Sequence, residues 1–252
     1  MFVRHGNEMQ HLDIHFLNVG HGDCTFIDHP SGRLTMIDVN NSKSLPMRDE
    51  IALAEHDGVP LAMFKAKTLF LGKRFGEGHY ASLLVDPVDY YTAHFHGRAV
   101  FRYIQSHPDL DHMSGLCRIF WQEQVPLANV WDTTHEKTFT KQDFNGGPYD
   151  WNDWLVYQRM RSGKVRDDDR HEVLHKYLGD NGEYWTEDGI RILSPTDDLI
   201  NYCNRQDEWN NASYILRVDF GGRHVILPGD AERPAWDSVE RTLGRSTSRV
   251  TS

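Results

Sequence analysis

The densest set of metal-ligating side chains lies in the stretch SHPDLDHMSG, directly after the apolar run 100–104. Its members are His107, Asp109, Asp111 and His112. On extended backbone, His107 and Asp109 project to one side, whereas the adjacent Asp111 and His112 diverge toward a neighbouring centre. Imidazole and carboxylate together suit Zn²⁺, Fe and Mn²⁺, so the spacing predicts four ligands around a metal pair. The alternative is that these residues cap a helix and bond the loop, since Asp and Ser are ordinary N-caps.

A second aspartate that could bind metal occurs in HVILPGDAE. There a β-branched strand ends at Gly229 and Asp230, which leaves the Asp230 carboxylate at the edge of a sheet. An ordinary turn aspartate is the alternative, because aspartate is common in turns. The two motifs together are more specific for a metal site than either is alone.

The apolar pattern predicts the elements that must position these residues. LDIHFLNV, CTFIDH and RLTMIDV alternate as strands, and the last of them ends at Asp38. AVFRYIQ and LANVWD resemble buried strands, with a helix beginning near Met113 between them. Further strands are predicted in GIRILSP, SYILRVDF and HVILPGD, and helices in VDYYTAHFHG, DWNDWLVYQRMRSG and PAWDSVERTLG. The strand, loop, helix, strand order indicates an α/β fold.

Two polar segments interrupt this pattern, at about 40–87 and 135–187. We interpret both as insertions, and the first as a flap or lid, because loops of that length are usually functional or disordered. A chain of 252 residues can bury one sizeable core. We therefore expect a single domain over residues 1–252.

Composition narrows the functional classes. The chain carries 37 acidic and 27 basic residues, for a formal net charge of −10, and no basic stripe compensates. An extended duplex-binding face is therefore not expected, and an anionic substrate needs a local positive charge such as a metal ion. The three cysteines are an odd number in apolar surroundings, which favours reduced thiols. No export signal or apolar run of membrane-spanning length is visible, so we expect a cytoplasmic protein with no membrane segment.

Four motifs in order resemble the metallo-β-lactamase fold hydrolases, and most closely the hydrolase domain of ComEC-type competence proteins. They are HFLNVGHGDC, MIDVN, SHPDLDHMSGL and NNASYILRVDFGGRHVILPGDAE. Together they cover most of the chain outside the two insertions. The resemblance implies an αββα sandwich, two divalent ions such as Zn²⁺ or Mn²⁺, and a nuclease-like activity.

The resemblance also implies roles for individual residues. His107, Asp109, Asp111 and His112 become metal ligands, and Asp230 becomes the carboxylate that bridges the ions. Asp38 matches an aspartate that supports the motif loop, Asn211 lies near the position of a third histidine in ordinary members, and His21 replaces a glutamine of the VGQGD turn. For His21, an exposed turn residue is slightly favoured over one that faces the substrate.

The family continues after GDxE with a helix, a strand and an HHGS-like loop whose histidine completes one metal shell. No histidine follows His224 here, so the domain is expected to be incomplete at its C-terminal end and its second metal site to be weak. His135, His79, His94 and His96 are possible substitutes that spacing does not favour.

These observations predict a metal-dependent hydrolase in which a metal-activated hydroxide attacks, with Asp111 orienting the water or taking its proton. The leading substrate is a phosphodiester, either a small molecule or single-stranded nucleic acid. A small-molecule ester or lactone hydrolase is the second enzyme alternative. A non-catalytic binding module with a degenerate metal site is the third, although a cluster of like charges is costly to keep without cations. The oligomeric state is not predicted.

Overall fold

The computed structural model describes residues 2–5, 8–42, 47–64, 84–95 and 97–248. The fold class is α/β, as the sequence predicts, with parallel and antiparallel strands in one mixed sheet. Over these residues, no helix has the length and apolar character needed to cross a bilayer.

The strands mostly follow the predicted apolar segments. They are β1 (Phe2–His5), β2 (Glu8–His11), β3 (Asp13–Phe16), β4 (Thr25–Asp28), β5 (Leu34–Ile37), β6 (Val39–Asn40), β7 (Val100–Ile104), β8 (Met113–Ser114), β9 (Leu127–Trp131), β10 (Glu172–Leu174), β11 (Ile190–Ser194), β12 (Ile215–Phe220) and β13 (Arg223–Leu227).

The helix predicted from near Met113 is instead a π-helix that begins at Cys117. The other predicted helices are among the α-helices of the structure. These α-helices are α1 (Met47–His56), α2 (Pro87–Phe95), α3 (Trp151–Arg161), α4 (Glu183–Glu187), α5 (Asp197–Gln206) and α6 (Arg233–Ser248). Single turns of 3₁₀-helix occupy Leu110–His112, Lys141–Phe144 and Trp209–Ala212, and a π-helix occupies Cys117–Gln122.

The larger sheet has six strands in the order β10-β9-β7-β5-β4-β3. Strands β5, β7, β9 and β10 run parallel, and β3, β4 and β5 pair antiparallel. The carboxyl ends of the parallel strands therefore meet at one edge of the sheet, which is the usual place for a site in a parallel sheet.

Both faces of the central strands β4, β5 and β7 are largely buried. Neighbouring residues of a strand face opposite sides of the sheet. In β4, Phe26 packs in an apolar cluster that includes residues of α2 and α3. The next residue, Ile27, packs in a different cluster on the other face of the sheet. In β7, Tyr103 and Ile104 divide between the same two clusters. This explains why these segments are continuous apolar runs in the sequence.

A three-stranded sheet, β11-β12-β13, is antiparallel and is called the smaller sheet here. The remaining strands form the two-stranded pairs β1-β2 and β6-β8. Ile192 and Leu216 of this sheet share an apolar cluster with Ile104 of the larger sheet. Ile215, whose side chain faces the opposite side from that of Leu216, packs in a third cluster with Ile200 of α5 and Val239 of α6.

The two predicted insertions contain more regular structure than their composition indicates. Helix α1 lies in the first, within the range 40–87, of which residues 65–83 lie outside the described part of the chain. In the second, Glu172–Leu174 pairs with Leu127–Trp131 and forms the edge strand of the larger sheet. Three residues are too few for a periodic pattern, so this strand could not be predicted from the sequence.

Candidate metal centre

The candidate site lies where strands of the two sheets end beside each other. Asp38 follows β5 directly and has a positive φ of 54°, so the chain turns sharply there. Ser106 and His107 follow β7, and Gly229 and Asp230 follow β13. The Tyr214 backbone N–H of the smaller sheet donates to the Ser106 carbonyl at 2.9 Å, which ties the two strand ends together.

Two glycines allow the loops to approach closely. At Gly229, with φ of 54°, a Cβ would lie 3.0 Å from the Cβ of Ser106. At Gly22, with φ of 86°, a Cβ would lie 2.0 Å from the carbonyl oxygen of Asp111. Any side chain at Gly22 would therefore push the GHGD turn away from the histidine and aspartate loop.

Asp38 orients His112. The His112 Nδ1 lies 2.8 Å from one carboxylate oxygen of Asp38, and the side chains of both residues are 1% exposed. The other oxygen of Asp38 accepts the backbone N–H of Ser106 at 2.7 Å. Because Asp38 is the acceptor, Nδ1 of His112 carries a proton, and Nε2 is the nitrogen that faces away.

His107 is oriented by the same aspartate through Ser106. The Ser106 hydroxyl donates to Asp38, and its oxygen lies 3.0 Å from Nδ1 of His107. A hydroxyl has one proton to donate, so Nδ1 of His107 must donate to the Ser106 oxygen. Both Nε2 atoms are buried and have no hydrogen-bond partner among the described residues.

Asp230 lies opposite the two Nε2 atoms. Its Oδ1 is 3.5 Å from His112 Nε2, and ligand atoms of His107, His112 and Asp230 all lie within 4.8 Å of one another. Two unpartnered imidazole nitrogens beside a carboxylate form a donor set suited to Zn²⁺ or Mn²⁺. A buried polar atom without a partner costs free energy, and a bound cation would remove that cost. The residues present therefore fit a divalent cation.

Asp109 and Asp111 approach different imidazoles. Asp109 Oδ2 is 3.9 Å from His107 Nε2, and Asp111 Oδ2 is 3.8 Å from His112 Nε2. Each carboxylate could therefore add a ligand atom beside one of the two histidines. His21 Nε2 lies 3.4 Å from Asp111 Oδ2, so this half-exposed histidine lies against the site.

The electrostatics of the group favour a cation. Burial lowers the pKa of His112, but Asp38, Asp230 and Asp111 outweigh it and raise the pKa well above its ordinary value. Burial and the neighbouring His112 lower the pKa of His107. Without a metal ion, the carboxylates thus attract a proton to His112 Nε2, and the same negative field attracts a divalent cation.

Sequence reasoning overlooked Asp23, which forms a second group with Asp38 and His112 whose ligand atoms lie within 4.8 Å. Desolvation and the charges of Asp38, Asp230 and Asp111 raise the pKa of Asp23. The signal was available, because Asp23 is the aspartate of the GHGD turn.

Asn211 is fully buried. Its Oδ1 accepts the backbone N–H of Ala235 at 3.3 Å, and its Nδ2 lies 3.4 Å from Glu208. These contacts anchor the start of α6.

Two of the possible substitute histidines have other partners. His135 Nε2 lies 2.7 Å from the Tyr157 hydroxyl, and the His94 ring stacks on Tyr90 with centroids 4.0 Å apart. His79 and His96 lie outside the described residues.

No protein-family model matches this chain, and a comparison with curated proteins finds no match.

Proposed function

We propose that this protein is a metal-dependent hydrolase that acts on phosphodiesters. The observation that carries the proposal is the pair of buried, unpartnered Nε2 atoms of His107 and His112 opposite Asp230. Orienting two imidazoles through one buried aspartate is costly unless divalent cations use their lone pairs, and such carboxylate–histidine arrangements are typical of metal sites.

The packing supports the finer fold assignment that we propose, a metallo-β-lactamase-like sandwich of the ComEC-like branch. The three apolar clusters correspond to helices on the larger sheet, the two sheets against each other, and helices on the smaller sheet. This is the order of layers that an αββα sandwich requires. In that arrangement the strand ends that bear Asp38, His107 and Asp230 share one edge.

In the proposed site, His107 and Asp109 would hold one ion and Asp111 and His112 a second, with Asp230 as a further carboxylate ligand. Bound divalent ions supply a water of lowered pKa and polarise the scissile group.

The side chains of this chain then have distinct tasks. Asp111 is 17% exposed, so it can reach a water at the open side of the site, orient it and accept its proton. His21, beside Asp111, can hold that carboxylate in position. Asp38 keeps both imidazoles in the tautomer that presents Nε2. No serine or cysteine nucleophile is required.

The test is hydrolysis by protein loaded with Mn²⁺ or Zn²⁺ of bis(4-nitrophenyl) phosphate, single-stranded DNA and 4-nitrophenyl acetate. We expect diester hydrolysis, and Asp111→Asn should lower kcat about 100-fold or more because the proton acceptor is lost. Asp168→Asn, at an 87% exposed position, is the matched control and should leave kcat unchanged.

The remaining outcomes correspond to the alternatives. Hydrolysis of the acetate with no turnover of either diester would support an ester or lactone hydrolase. Tight metal binding without any hydrolysis would support a non-catalytic module. Diester hydrolysis that survives Asp111→Asn would mean that the proton acceptor has been assigned wrongly.

A further inference from the structure

A lysine of the second insertion lies against the candidate metal centre. Lys137 follows β9, and its Nζ donates to Oδ1 of Asp109. The other oxygen of Asp109 faces His107 Nε2 at 3.9 Å. The Lys137 side chain is 18% exposed, and its Nζ lies 5.1 Å from the centre of the Phe139 ring. The ammonium is therefore held beside the ligand group while remaining reachable from solvent.

The negative charge around the candidate metal centre is partly compensated by the Lys137 ammonium. Five carboxylates converge there: Asp23, Asp38, Asp109, Asp111 and Asp230. The chain as a whole has a formal net charge of −10. An anionic substrate is repelled by such a surface unless fixed cations compensate at the point of binding.

Lys137 also has donors to spare. An ammonium group carries three N–H donors. Asp109 is its one hydrogen-bond acceptor within the described part of the chain. The remaining donors can bind an anionic oxygen that enters from the solvent side, next to the atoms that would react.

We infer that Lys137 is a specificity-determining residue that binds a non-bridging oxygen of an anionic phosphoryl group beside the metal centre. This inference rests on the proposed function, which it extends by naming the residue that selects an anionic phosphodiester over a neutral ester. Lys137 makes no bond to the reacting atoms, and its contribution is binding and selection. A purely structural lysine would fix Asp109 without affecting the charge preference of the site.

The first test measures binding without turnover. Protein loaded with Mn²⁺ is titrated with inorganic phosphate by calorimetry, for the wild type, Lys137→Met, Lys137→Gln and Lys137→Arg. A charge-assisted hydrogen bond is lost in the first two variants, so phosphate affinity should fall about tenfold or more. Lys137→Arg keeps the charge and should retain most of the affinity. Lys176→Met, at a lysine 4.8 Å from the Trp185 ring, is the control and should behave as wild type.

The second measurement separates selection from the positioning of Asp109. The Mn²⁺ affinity of each variant is measured in the absence of phosphate, and should be retained or increased when Lys137 no longer neutralises Asp109. If diester turnover is detectable, Lys137→Met should raise KM for bis(4-nitrophenyl) phosphate and leave KM for 4-nitrophenyl acetate unchanged.

The inference is overturned if Lys137→Met and Lys137→Gln bind phosphate as the wild type does, or if the loaded wild type binds none. It is also overturned if these variants lose phosphate affinity only as much as they lose Mn²⁺ affinity. A protein that binds phosphate through Lys137 but hydrolyses nothing would contradict the proposed function and leave Lys137 as an anion-binding residue.

Discussion

His112 Nδ1 lies 2.8 Å from Asp38 Oδ2, although the two residues are 74 positions apart in the chain. The same carboxylate oxygen accepts the Ser106 hydroxyl, which in turn binds His107. One buried aspartate at the end of a parallel strand therefore sets the tautomers of both imidazoles. The availability of two Nε2 lone pairs depends on it.

Asp38→Asn should weaken Mn²⁺ and Zn²⁺ binding by about 10- to 100-fold. An asparagine amide can donate to Nδ1 of His112, which would move the imidazole proton to Nε2 and block the metal-binding lone pair. Isothermal titration calorimetry with each metal measures the change. Asp13→Asn, at a half-exposed position, is the control and should bind like the wild type. Unchanged affinity in Asp38→Asn would show that this aspartate does not set the tautomers.

Substitutions at two glycines with similar φ angles distinguish the effect of backbone strain from that of a steric clash. Gly32 has φ of 83° with no heavy atom within 4 Å of a built Cβ, whereas at Gly22, with φ of 86°, the Cβ would collide with Asp111. Gly32→Ala should cost on the order of 1 kcal/mol of unfolding free energy from its left-handed backbone alone. Gly22→Ala carries the same strain and must also displace the Asp111 loop.

Metal affinity is therefore expected to fall about tenfold or more in Gly22→Ala and to stay unchanged in Gly32→Ala. Thermal unfolding with a metal titration of both variants gives the two quantities. Equal behaviour of the two variants would mean that the close approach of the GHGD turn has no influence on the site.

Metal binding should release a proton. Burial lowers the pKa of His112, but the carboxylates around it outweigh this and raise the pKa well above the ordinary value, which favours a second proton that a metal at Nε2 would displace. We expect about one proton released per chain, from His112, and an affinity that falls as the pH falls. Calorimetry in buffers of different ionisation enthalpy counts the protons. In His112→Gln the release should disappear, and its persistence there would assign the proton to another group.

A buried histidine outside the site should make the fold sensitive to acid. Burial lowers the pKa of His29 from 6.5 to about 4, and its Nε2 lies 2.9 Å from the Thr35 hydroxyl. Between pH 6.5 and about 4, the unfolded chain binds this proton and the folded chain does not. The free energy of unfolding is therefore highest above the unfolded pKa and decreases as the pH is lowered. From pH 7 to about 5 this histidine should contribute a loss of about 2 kcal/mol.

Denaturant unfolding in the presence of a chelator, at both pH values, measures that loss. The difference between the wild type and His29→Gln isolates the histidine, since other titrating groups cancel. His224→Gln, at a 54% exposed position, should lose stability with pH as the wild type does. Equal pH dependence in the wild type and His29→Gln would contradict the assignment.

Features that depend on neighbouring residues could be predicted from the sequence. Buried strands such as Val100–Ile104 are continuous apolar runs, and the ligand types lie close together in one loop, so both could be predicted. Contacts between distant segments left no local signal. Lys137 meets Asp109 from 28 residues away, in a segment whose polarity indicated only an insertion. Asn211 was a candidate by resemblance, and the contact of its Oδ1 with the start of α6 depends on packing that spacing does not encode.

The most direct test of the metal centre is the metal content of the dialysed protein, measured by elemental analysis and by thermal unfolding with Mn²⁺ and Zn²⁺. We predict at least one tightly held ion per chain and a higher Tm with metal. Asp230→Asn and His107→Gln should each lose most of that ion, and Asp111→Asn most of the gain in Tm. Asp219→Asn, which changes an aspartate paired with Arg217, should retain the ion. A wild type with no bound metal and an unchanged Tm, or an Asp230→Asn variant that holds metal as the wild type does, would contradict the assignment.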